Sequence, residues 1–129
     1  MSALVHQLQP TRRSCGQTVC AMLAGVDAME VIGEMGRAAT SGRRLIAWLR
    51  GRGVDIAERP QRFTQGRDPL PDVAILRIDW STDRKRTHWM LWADGTFWDP
   101  GSAYPLAWAR NGGRIYSIIP IARAVRMAA

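Results

Sequence analysis

His88-Trp89-Met90-Leu91-Trp92-Ala93-Asp94-Gly95-Thr96-Phe97-Trp98-Asp99 reads as two strands joined by a tight turn. Asp-Gly between apolar and aromatic runs is a strong hairpin signal, because a two-residue turn with positive φ matches the twist of the flanking strands. Strands over 88–93 and 96–98 follow, and Asp99-Pro100-Gly101 stops the second. The hairpin brings its two ends, His88 and Asp99, back toward one another. A carboxylate so placed can orient an imidazole ring. Asp-Pro-Gly also suffices as plain turn chemistry.

Upstream, Asp72 to Trp80 is a strand rich in Val, Ile and Leu. Residues 81–86 are polar and basic and read as a turn or loop. Downstream, Ala103 to Ala109 reads as one or two helical turns, Asn111-Gly112-Gly113 as a turn, and Arg114 to Ile121 as a last strand. The tail beyond Arg123 reads as frayed.

The first half has a different period. In residues 15–24, Val19, Met22 and Leu23 recur at helical spacing, and Gly25 ends the helix. Asp27 caps a second helix, with Glu30 in the capping-box position, running to about Gly36. Thr40 or Ser41 caps a third, through Leu45, Ile46, Trp48 and Leu49 to Gly51. Val54 to Ala57 is a short strand, and residues 60–72 read as loop. Residues 1–14 read as extended or looped, with Val5 and Leu8 tucked against the domain. Helices first and hairpin-linked strands last make an α+β fold: N-terminal helices packed on one side of a mostly antiparallel C-terminal sheet.

A chain of 129 residues, 47% hydrophobic and with six tryptophans, is expected to form one domain over residues 1–129. Its two cysteines are five apart on one helix and face different ways, so both read as free thiols in a reducing compartment. No secretory signal and no membrane-length apolar run is visible. The expected location is cytoplasmic, or outside the cell by a route that leaves no such signal. The net charge is +7, and Lys85 is the single lysine among 18 basic residues. The charge favours acidic partners. The arginines are scattered in short clusters without a nucleic-acid-binding motif, so nucleic acid is not the expected partner.

Cys15 opens the first helix, behind Arg12 and Arg13. Unbonded N–H groups at a helix N-terminus, and nearby positive charge, favour thiolate over thiol. A buried core thiol is the alternative, and it suits Cys20 better. Gly16 either serves packing or lets a substrate backbone approach the sulfur, and N–H groups beside Cys15 and Gly16 can hold an oxyanion. Of the two histidines, His6 lies in the N-terminal segment and reads as a free surface residue. His88 lies on a strand and is the natural general base for a cysteine. Its neighbour Trp89 points the other way, into the core. Gln9, six residues before Cys15, carries an amide able to donate to an oxyanion, or is ordinary surface. Gln17, Tyr104 and Trp108 are substrate-contact candidates, the last two alternatively covering the sheet edge. Cys15, Cys20, His6 and His88 do not form a zinc-spaced set, and no cofactor is expected.

Gln9, Cys15-Gly16, His88-Trp89 and Asp99-Pro100, in that order, resemble the papain-like cysteine peptidase superfamily. The resemblance is greatest to the compact bacterial branch that includes the double-glycine leader peptidases of bacteriocin exporters. It covers about Gln7 to Tyr116. It implies a papain-like fold with Cys15 as nucleophile, His88 as base and then acid, Asp99 as orienting residue and Gln9 as oxyanion donor. The expected function is cysteine-dependent hydrolysis of a peptide or isopeptide bond in a peptide or protein, with acidic character suggested by the arginines. Deamidation, transglutamination and peptidoglycan amidase chemistry use similar machinery. Other readings are an inactive binding module of the same fold, or a basic regulatory or effector protein. Oligomeric state is not readable from the sequence.

Overall fold

The computed structural model describes residues 4–80, 83–102 and 114–123. Helices α1 (Cys15–Ala24), α2 (Ala28–Met35) and α3 (Gly42–Gly51) precede strands β1 (Asp55–Ile56), β2 (Gln61–Arg62), β3 (Val73–Trp80), β4 (Asp83–Ala93), β5 (Thr96–Trp98) and β6 (Arg114–Arg123). The architecture is mixed α+β, with N-terminal helices and a six-stranded antiparallel sheet of order β1-β6-β3-β4-β5, β2 also pairing with β6.

Local chemistry explains the boundaries. Gly25 takes φ 73° and returns its N–H to the Ala21 carbonyl, closing α1. Asp27 caps α2 by accepting from the Met29 N–H, and Ser41 caps α3 by accepting from Arg44. Glu30 does not complete a capping box; its carboxylate meets Arg52 at 3.2 Å. Asp94 (φ 55°) and Gly95 (φ 67°) make the expected hairpin turn.

Both sheet faces are covered. On the helix side, Val19, Leu23, Leu45 and Leu49 pack with Ile75, Trp89, Leu91 and Ile119. On the other, Leu76, Ile78, Met90, Phe97, Ile115 and Ile118 lie beneath Phe63, Leu70 and Trp92. A strand buried on both faces carries a continuous apolar run, as Val73 to Leu76 does.

Four further expectations need correction. The polar stretch 81–86 is not all loop, because β4 begins at Asp83 and lengthens the β3–β4 hairpin. Gln61 and Arg62, within the expected loop, add to β6. Val5 and Leu8 are exposed (72% and 58%), and Leu4 is buried in their place. β6 runs two residues past Ile121, where it pairs with β1. The helical turns expected over 103–109, the turn at 111–113 and the frayed tail lie outside the described residues. Among the described residues, no single helix is long and apolar enough to cross a membrane.

Candidate active site

The N-terminus of α1 is left uncapped. Ser14 is its N-cap residue, yet its side chain makes no cap bond and turns back to Thr11 instead. The first N–H directed to a carbonyl one turn back is that of Thr18, to Ser14. The N–H groups of Cys15, Gly16 and Gln17 therefore have no acceptor within the helix. Cys15 is 8% exposed at this rim, whereas Cys20 is sealed in the core, where burial pushes its thiol up. Both thiols are free.

His88 faces this rim from β4. Its Nε2 lies 2.5 Å from Asp99 Oδ1. A carboxylate can only accept, so Nε2 carries the hydrogen and Nδ1 is the nitrogen left for a further partner. Cys15 lies close enough to the ring to raise its affinity for a proton. Burial alone would lower the imidazole pKa. Hydrogen bonds to Asp99 and then Cys15, with the electrostatic attraction of both, outweigh burial and raise it to about 9. Thus Cys15, His88 and Asp99 come together.

Asp99 is itself held rigidly. It is 3% exposed. Its Oδ1 also accepts from the Gly101 N–H at 2.8 Å, and its carbonyl accepts from the Ser102 N–H at 3.0 Å. A Cβ on Gly101 would stand 3.3 Å from Oδ1 and 3.5 Å from His88 Cε1, so glycine lets this turn lie against the ring. The N-terminal segment straps the turn down. The Gln9 N–H donates to the Pro100 carbonyl at 2.8 Å, and His6 Nε2 meets the Ser102 carbonyl at 2.6 Å. His6 is therefore not the free surface residue expected. Nothing in its sequence setting marked it, since the contact joins residues 96 apart.

The remaining candidates divide. Gln9 lies in the same strap, but its amide N–H groups go to the Thr11 (2.8 Å) and Arg12 (3.1 Å) carbonyls. Gln17 is fully buried and donates to the Gly36 and Ala38 carbonyls at 2.9 and 2.7 Å, so it fastens the α2–α3 connection instead of contacting substrate. At Gly16 a Cβ would come within 2.5 Å of Thr40 Cγ2 and 3.1 Å of Trp89 Cδ1; this glycine serves close packing of α1. Trp89 is buried in the helix-side core and donates to the Thr40 carbonyl at 3.1 Å, as alternation predicted. Tyr104 and Trp108 lie outside the described residues. Among the described residues, no group of three or more His, Cys, Asp or Glu side chains could hold a metal ion.

No family model matches this chain, and no curated protein does.

Proposed function

We propose that this protein is a cysteine-dependent hydrolase of papain-like fold that cleaves a peptide or isopeptide bond by acyl transfer. The observation carrying this reading is the meeting of the Cys15 thiol and the Asp99 carboxylate on one imidazole, across more than seventy residues of sequence. The imidazole, raised to about 9, holds its proton at neutral pH beside the sulfur, which suits an imidazolium–thiolate pair.

In the first half-reaction the sulfur attacks the substrate carbonyl carbon, and the C=O pair moves onto oxygen. The N–H of Cys15 donates to that oxyanion. Gln9 supplies a second donor by releasing the longer of its two bonds, to the Arg12 carbonyl. His88 gives its proton to the leaving amine as the C–N bond breaks, leaving a thioester on Cys15. His88, now neutral, takes a proton from water as that water attacks the thioester. The acid product departs, and His88 carries the proton that restores the pair. Asp99 keeps Nε2 as donor and holds the ring in one orientation throughout.

The test is digestion of a defined peptide mixture, read by mass spectrometry for new termini. Cleavage by the wild type that is lost in both Cys15→Ala and His88→Ala supports the reading. Cleavage retained in Cys15→Ala refutes it.

A further inference from the structure

Beyond the Cys15–His88–Asp99 centre, the start of β6 and the 61–70 segment enclose a groove of about 500 Å³, with Arg62, Arg67, Arg114 and Tyr116 on its walls. Arg67 is paired with Asp68 at 3.0 Å. Arg62 and Arg114 are exposed and have no acidic partner among the described residues. Phe63, Gln65 and Ile115 also border a second, more apolar cavity of about 190 Å³, reaching Leu70 and Phe97. The two cavities adjoin along those shared residues. One offers unpaired guanidinium groups and the other side-chain-sized apolar space.

Register ties this groove to the catalytic centre. Ile78 of β3 pairs with His88 on one side and with Ile115 on the other. Cross-strand partners point to the same face, so Ile115 and His88 share a face two strands apart, or about 10 Å, whereas Arg62, opposite Ser117, and Arg114, opposite Asp79, are rooted on the other face and line the groove from its side. A β-bulge lies here: Arg77 pairs with Ser117 and Ile78 with Ile115, so Tyr116 is the extra residue. Bulges bend a strand and re-aim its side chains. Tyr116 stands 52% exposed on the groove wall, with the Arg77 guanidinium 4.8 Å from its ring centre.

Resting on the proposed peptide hydrolysis, we infer that this paired groove is the substrate-recognition site, and that it selects peptides carrying a carboxylate next to an apolar side chain. Arg62 and Arg114 take the carboxylate, and the cavity between Phe63, Leu70 and Phe97 takes the apolar neighbour. An extended peptide advances about 3.3 Å per residue, so Ile115, on the wall the two cavities share, lies about three residues from the scissile bond. A peptide fits better than a nucleic acid, because one short row of guanidinium groups beside an apolar side-chain cavity offers no repeating phosphate track.

The test uses Cys15→Ala protein, so that binding is read apart from turnover. Fluorescein-labelled peptides of ten residues are titrated by anisotropy: one with alternating Glu and Leu, and its counterpart with Lys in place of Glu. The inference predicts binding of the Glu peptide alone, weakened at least about tenfold by Arg62→Glu with Arg114→Glu. Leu70→Asp should weaken it as well. Circular dichroism melts of these surface variants check that they fold. Equal binding of the two peptides, or unchanged binding in the double arginine variant, overturns the inference. Preferential binding of a ten-residue single-stranded DNA overturns it in favour of nucleic acid. The underlying reading fails separately: Glu-peptide binding with no cleavage by wild type sinks the hydrolase and spares the groove. Cleavage indifferent to the arginine variants does the reverse.

Discussion

His88 is the residue on which the local chemistry turns, because burial and hydrogen bonding pull its titration in opposite directions. Burial disfavours the imidazolium, while Asp99 and Cys15 favour it and prevail. Removing Asp99 leaves the burial but takes away the first-named opponent. In Asp99→Ala, the His88 ring should therefore titrate well below 9, toward or under its ordinary 6.5, when followed by NMR of the ring protons. Cys15→Ala should lower it too. An unchanged midpoint in Asp99→Ala would show that the carboxylate does not govern the ring. This pairing was legible beforehand, because Asp-Gly fixes the turn and the turn fixes which residues return beside His88. The His6 and Gln9 contacts to residues 102 and 100 were not legible, since no local rule links an N-terminal strap to a distant turn.

At the scale of elements, α1 is positioned by packing against Thr40, Leu45 and Trp89, and by the Gln17 amide holding the α2–α3 connection. Gly16→Ala forces a methyl into contact at 2.5 Å and should cost about 1–3 kcal/mol in urea unfolding. Gln17→Leu strands the Gly36 and Ala38 carbonyls without their donor and should cost about 1–3 kcal/mol. Stability unchanged in either variant would remove that contact from the account. Helix caps and apolar spacing announced all three helices and the long strands in the sequence. The two-residue strand β2 was hidden, because Gln61-Arg62 has neither alternation nor β-branched residues and is held only by pairing with β6. The burial of Gln17 was hidden for a related reason. A glutamine inside an apolar helix becomes a core tie only when a neighbouring loop presents carbonyls to it.

For the whole molecule, the helices fill one face of the sheet, the 61–70 segment covers part of the other, and Cys15, at the start of α1, lies beside His88 of β4. Because the folded protein raises the His88 pKa, it binds that proton more tightly than the unfolded chain does. The resulting stability is fully present below about pH 6.5 and is lost as pH rises through about 9. Urea unfolding should therefore show the advantage of wild type over His88→Gln shrinking across that window; a constant difference would contradict the linkage. The α+β class and the order of elements could be read from the change of hydrophobic period along the chain. The groove beside β6 could not, because it depends on a bulge and on arginines brought together by folding. The central claim is that Cys15 and His88 act as a pair, and selective alkylation tests it most directly. Wild-type protein is treated with iodoacetamide at neutral pH, and modification of Cys15 and Cys20 is followed by peptide mass. The account predicts that Cys15 reacts at least about tenfold faster than Cys20, and at least about tenfold faster than Cys15 in His88→Ala. Equal Cys15 reactivity with and without His88 would contradict it.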